Sequence, residues 1–189
     1  MDLYHKIKAY IPVNEQEMVD QQVMLAYLEK EADVLTRENQ IAHFSASSWI
    51  VNQERTKVVL IYHNIYQSWT WTGGHADGEE DLLAVAIKEA KEETGLTTVN
   101  AIDGEICSLE ILTVNGHIKR GHYVPSHLHM NVTFLLEASE EESFVVKEDE
   151  NSGVRWFPIE EAVTASSEPW MHSIYQKLND RVIKKGTVA

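Results

Sequence analysis

Apolar residues recur at Met18, Leu25, Leu28, Ala32 and Leu35, a three-four spacing that predicts a helix over Glu15 to Arg37 with one buried stripe. Its start is marked by Asn14, which can cap a helix, and by Glu17 three residues on, just after Pro12. The stripe is expected to fold back on its own chain, with a homodimer contact as the alternative. HFSASSWIVN and TKVVLIYHNI, separated by the polar turn NQER, then read as a pair of strands rich in β-branched and aromatic residues. From Glu79 the period becomes helical again, with Leu83, Ala86, Ile87 and Ala90 on one face and Gly95 placed as a C-terminal cap.

Beyond that helix, GEICSLEILTVNGHIKRGHYV predicts two strands joined at Asn115-Gly116, a favoured two-residue hairpin turn. HLHMNVTFLLEA alternates: Leu128, Met130, Val132, Phe134 and Leu136 point one way, His127, His129, Asn131 and Thr133 the other. Such a strand is either half solvated or lines a wet pocket. SFVVKEDENSGVRWFPIEEA predicts a short strand, an acidic loop, a second short strand and a helix start after Pro158. A last helix opens near Ser167 and Glu168 and buries Met171, Ile174, Tyr175, Leu178 and Val182.

Composition narrows the function. Against 16 Lys and Arg stand 30 Asp and Glu, and the formal charge of -14 opposes binding to a nucleic-acid polymer, which needs a basic surface. An anionic substrate would need a metal bridge. The single cysteine, Cys107, forms neither an internal disulfide nor a multi-cysteine zinc site. The first residues hold no continuous apolar run, so no signal peptide or membrane span is expected and the chain reads as cytoplasmic.

The candidate chemistry lies in GHADGEEDLLAVAIKEAKEETGL, from Gly74 to Leu96. Glu89, Glu92 and Glu93 fall on one helix face at i, i+3 and i+4, where like charges repel unless a cation holds them. A hard divalent metal suits carboxylate oxygens. Around this helix, His75, beside Gly74, is a candidate substrate contact. Trp69, Trp71 and Tyr66 offer faces for a nucleobase, core packing being the alternative. His127 and His129 share a strand face, but with no third ligand marked nearby they read as pocket-lining or structural. Arg120 reads as an isolated surface arginine, a phosphate contact being the alternative.

The same tract closely resembles the signature of the Nudix hydrolases, G-x5-E-x7-R-E-U-x-E-E-x-G-U with U aliphatic. Gly74, Glu80, Glu89, Glu92, Glu93, Gly95 and Leu96 match, whereas Lys88 replaces the arginine and Ala90 is small at a U position. Likeness to a bacterial Nudix subgroup extends from about His43 to Ala162. The resemblance implies an α/β fold with α+β content, a Nudix-type α/β/α sandwich around a mixed β-sheet. Residues 1–40 would form an N-terminal helical extension and 41–189 the Nudix domain. It also implies a hydrolase that cleaves a nucleoside diphosphate linked to another group, with Mg²⁺ or Mn²⁺ as cofactor and a small nucleotide-like diphosphate as partner.

By resemblance, Glu92, Glu93 and the backbone carbonyl of Gly74 are metal ligands, and Glu89 binds metal or positions water. Some members of the family take the proton on a glutamate from a distant loop; Glu150 is the candidate here and Glu148 the alternative. Two other readings follow from the fold. A binding or regulatory module with weak turnover is made conceivable by Lys88. Isoprenyl diphosphate isomerase chemistry would need a reactive cysteine, and Cys107 lies outside any matching motif.

Overall fold

A computed structural model describes residues 2–119 and 121–186, so Arg120 lies outside the described residues. Its centre is β1 (Ala42–Val51), followed by β2 (Lys57–His63), β3 (Ser68–Thr70) and β4 (Thr72–His75). Helix α3 (Leu82–Thr94) then leads to β5 (Val99–Val114), β6 (His117–Lys119), β7 (His122–Val124), β8 (His127–Ala138) and β9 (Asn151–Pro158). Strands run β3-β2-β1-β8-β5 in the main sheet, with β4 also on β1 and β9 also on β2. The β1–β8 pair is parallel and the other pairs are antiparallel, so the sheet is mixed. The two strands expected after the first helix do pair, but only at Val51 and Val58; farther along, β1 takes β4 and β2 takes β3, while β9 covers the other edge of β2.

Alternation along the strands makes two cores. Phe44, Ala46, Met130 and Val132 face α3, α1 (Leu3–Ala9) and α2 (Glu15–Lys30), which supply Ala86, Ala90, Ile7 and Met24. Trp49, Leu60 and Leu135 face α4 (Ile159–Ala165) and α5 (Pro169–Gly186), which supply Ala162, Tyr175, Leu178 and Val182. Helices on both faces of a mixed sheet make an α/β/α sandwich. No helix among the described residues is long and apolar enough to cross a membrane.

Several elements differ from the pattern-based reading. Helix α2 ends at Lys30 rather than Arg37, and its fully buried residues are Met24 and Glu17; Met18 is 46% exposed. Helix α1 was not marked by any periodicity, being barely two turns long. Asn115-Gly116 is not a hairpin: β5 pairs β8, and the reversal falls between Lys119 and His122 in the separate β6–β7 ribbon. Residues 144–148 form no strand, although β9, α4 and α5 follow as expected.

Candidate active site

Helix α3 is anchored by Leu82, Val85, Ala86 and Ala90 and stopped by Gly95, whose φ of 75° is the left-handed cap conformation. The sequence suggests separate apolar and carboxylate faces, but Glu93 sits on their boundary and is only 3% exposed. Its Oε2 accepts a 2.9 Å hydrogen bond from the Gly73 N–H. Glu89 is also turned inward, with a side chain 14% exposed, whereas that of Glu92 is 43% exposed.

The two glycines of β4 are explained by crowding rather than by backbone angle. A Cβ on Gly73 would lie 2.6 Å from Ser47 Oγ and 2.7 Å from the Ala46 carbonyl oxygen. One on Gly74 would lie 2.5 Å from the Glu89 carboxyl carbon. At Gly73 the backbone of β1 leaves no room for a side chain, and at Gly74 a side chain would push the Glu89 carboxylate out of its place.

Glu89, Glu92, Glu93 and Glu150 all line one cavity of about 740 Å³, together with Gly74 and His75. Lys147 bridges the helix to the acidic loop, with Nζ 3.5 Å from Glu92 and 3.0 Å from Glu150. The loop is fixed by the Asn64 N–H, which donates to the Glu150 carbonyl, and by the Asn151 amide, which donates to the Glu93 carbonyl at 2.9 Å. Glu148 is not part of the lining. Lys88 Nζ lies 3.4 Å from Glu89 and 3.6 Å from Glu92. Glu80 is exposed and off the cavity, and buried Cys107 is off it too.

Burial, followed by the charges of Glu89 and Glu150, pushes the Glu93 carboxyl up to about 8; the Gly73 N–H acts against this. A buried carboxylate beside two others is costly to ionise, and a divalent cation would offset that cost. The donor set of carboxylate oxygens on one cavity therefore fits a hard metal such as Mg²⁺ or Mn²⁺.

The rest of the cavity wall mixes expected and unexpected residues. His127 and His129 line it, joined by His43 and His75, which strand alternation alone does not group with them. Trp71 touches the cavity but is 8% exposed, its ring packed edge-on against Tyr175. Trp69 lies off it, beside Phe157 and the Arg155 guanidinium. The more open aromatic residues of the wall are Trp170, 60% exposed and without a signal in the sequence, and Tyr66, 42% exposed with one face stacked on His63. Arg37 adds a cation at the wall, locked to Asp77 by Nε–Oδ1 and Nη2–Oδ2 contacts of 2.7 and 2.5 Å.

Among solved structures, an Ap4A hydrolase of C. elegans in a binary complex matches with a TM-score of 0.56 at 20% identity, over 75% of this chain and 98% of that one. The dihydroneopterin triphosphate pyrophosphohydrolase of E. coli matches with a TM-score of 0.55 at 18% identity, over 75% of this chain and 95% of that one. The Nudix hydrolase RenU of M. smegmatis matches at 0.53 and 16%, over 78% and 88%. At these identities the likeness is one of fold. No curated protein sequence matches the chain. A family model does: the NUDIX domain matches residues 42–178, from the start of the central strand into the last helix, and the chain belongs to the Nudix family.

Proposed function

We propose that this chain is a divalent-cation-dependent hydrolase cleaving a pyrophosphate bond in a nucleoside diphosphate linked to another group. The observation that carries this reading is the convergence of Glu89, Glu92, Glu93 and the loop residue Glu150 on one cavity, with the Gly74 backbone packed directly against the Glu89 carboxylate. The names of two similar folds, an Ap4A hydrolase and a dihydroneopterin triphosphate pyrophosphohydrolase, fit the same reaction class.

Glu92, Glu93 and the Gly74 carbonyl would hold Mg²⁺ or Mn²⁺, with Glu89 as a further ligand or as the group that orients water. The bound ion would screen phosphate charge and make water a better nucleophile. Glu93 would have its oxygens committed to the ion and to the Gly73 N–H, which leaves it poorly placed to take a proton from water. Glu150 is therefore the better base, held toward the cavity by its backbone contact to Asn64 and by Lys147. Lys88 and Lys147 supply positive charge beside the carboxylates, as phosphate oxygens require. Tyr66 and Trp170 give exposed faces on which a base would stack, and the four histidines line the same cavity.

The test is release of phosphate or nucleotide from nucleoside triphosphates, nucleotide sugars, ADP-ribose and dinucleoside polyphosphates, each with Mg²⁺ and with Mn²⁺. Turnover that disappears in chelator is expected on at least one of these. A complete lack of turnover would favour the second reading, a binding or regulatory module. One observation supports that alternative: the Lys88 ammonium already lies between Glu89 and Glu92 and competes with a metal for both.

Lysine is a point charge where arginine would present a planar fork. Lys88→Arg is expected to leave kcat unchanged or to raise it, because a fork orients Glu89 better. A loss of roughly tenfold or more would show that lysine has a role of its own.

A further inference from the structure

Four histidines from three strands meet on the cavity wall. The sheet register sets His43 beside His129 and Ser45 beside His75. Residues two apart on a strand share a face, so His43, His75, His127 and His129 all project from the same side of the sheet. One ring nitrogen from each lies within 4.8 Å of those of the other three. The His43 ring stacks on His127 with centroids 4.9 Å apart, and His75 meets His129 edge-on at 4.8 Å.

Two of these rings are oriented from behind. His43 Nδ1 is 2.9 Å from the Asn39 carbonyl oxygen, and His127 Nδ1 is 2.8 Å from that of Pro125. A carbonyl only accepts, so Nδ1 carries the proton in both rings and Nε2 is left with its lone pair. His43 is 3% exposed, and its Nε2 is buried with no hydrogen-bond partner. Imidazoles that bind metal are held in this way, one nitrogen donating to a backbone carbonyl while the other faces the ion. His127 Nε2 accepts from His129 Nε2–H at 3.1 Å, so an ion would take the place of that proton. Ligands about 2.0–2.1 Å from a tetrahedral zinc ion would be separated by about 3.3 Å.

We propose that His43, His75, His127 and His129 form an imidazole site for a borderline first-row divalent ion, with Zn²⁺ as the type case, separate from the glutamate cluster in the same cavity. The two donor sets select different ions: carboxylate oxygens suit Mg²⁺ and Mn²⁺, and neutral imidazoles suit zinc and its neighbours. Four neutral ligands leave the ion's double positive charge uncancelled. An acidic chain thereby gains a fixed positive centre beside the space that a phosphate would fill. The same ion would tie β1 and β8 to β4, the strand that carries Gly74.

The test reads metal content, so it stands whether or not the chain turns over. Chelator-stripped full chain, held in excess Mg²⁺, is titrated with Zn²⁺, and bound zinc is counted after gel filtration. About one equivalent per chain is expected, with an all-nitrogen imidazole shell by X-ray absorption. His75→Ala and His129→Ala should each weaken zinc binding by at least about tenfold, while Glu92→Gln leaves it unchanged. Circular dichroism checks that the variants are folded; if neither folds, the absorption spectrum of the unaltered chain decides. No zinc retained, an oxygen-dominated shell, unchanged affinity in the folded histidine variants, or loss on Glu92→Gln would each overturn the proposal.

Discussion

Glu93→Gln is expected to lower turnover by about 10²–10³-fold with the fold retained, the loss typical of removing one group that stabilises developing charge in a buried site. Glutamine preserves the shape of a residue only 3% exposed and can still accept the Gly73 N–H. What it removes is the ionisable oxygen. The Glu93 carboxyl, raised by burial and by the charges of Glu89 and Glu150 to about 8, is above its value in the unfolded chain, so folding favours the neutral form. In chelator, the stability this group contributes is complete below the unfolded pKa of about 4.3 and is lost as pH rises through about 8, on the order of a few kcal/mol in all.

Glu93→Gln, permanently neutral, escapes that loss. In chelator its Tm should exceed that of the unaltered chain by a margin that widens from pH about 4.3 to about 8 and then levels off. Adding Mn²⁺ should reverse the order at alkaline pH, because only the carboxylate gains from the ion. Melting curves over pH, with and without Mn²⁺, check this. A variant with full turnover would remove Glu93 from the site.

The region that sequence describes best is the one whose chemistry is local. Glu89, Glu92 and Glu93 share a helix, and their spacing places them together before any tertiary contact is known. Gly95 is legible as a cap from its left-handed φ alone, although Val145 also crowds it in the fold. Gly73 and Gly74 differ: their need for a hydrogen side chain comes from Ser47, Ala46 and Glu89, brought against them by strand pairing and helix packing. The histidines show the same limit. Period-two alternation puts His127 and His129 on one face, but His43 joins them only because β1 and β8 run parallel in this register, and His75 only because β4 returns along β1.

Asn115-Gly116 shows the opposite failure. Its local turn preference is overridden because β5 spends its length pairing with β8. Trp170 left no signal because it stands on the open side of α5, outside the buried stripe that marks the helix.

Lys177→Met is expected to cost about 3–5 kcal/mol of stability, the range for removing one member of a buried ion pair. Lys177 Nζ lies 2.9 Å from Glu17 and 2.8 Å from Glu110, carboxylates that are 0% and 1% exposed. Glu17 is on α2, Glu110 on β5 and Lys177 on α5, so this ammonium, with Arg181 on the Tyr10 hydroxyl, holds the N-terminal helices to the last one. Burial works to raise the Glu17 pKa, but the Val13 N–H, Lys177 and the Tyr10 hydroxyl outweigh it and the net shift is downward. The stability from Glu17 is therefore present above the unfolded pKa of about 4.3 and is lost as pH falls through the lower folded value.

In the Lys177→Met chain, Arg181 remains near Glu17 at 3.8 Å, while Glu110 loses its neighbouring cation and keeps contacts to Ser108, Asn131 and Thr133. Asn131 also accepts from Ser45 and Ser47 on the cavity wall, so the strain of a bare Glu110 would be felt at the site. Urea unfolding near neutral pH should show the midpoint falling with an unchanged slope. Adding Glu110→Gln to Lys177→Met should recover part of the loss, because a neutral amide needs no counter-charge. A loss under about 1 kcal/mol would mean that water or Arg181 replaces the ammonium, and that the network does not hold the helices as described.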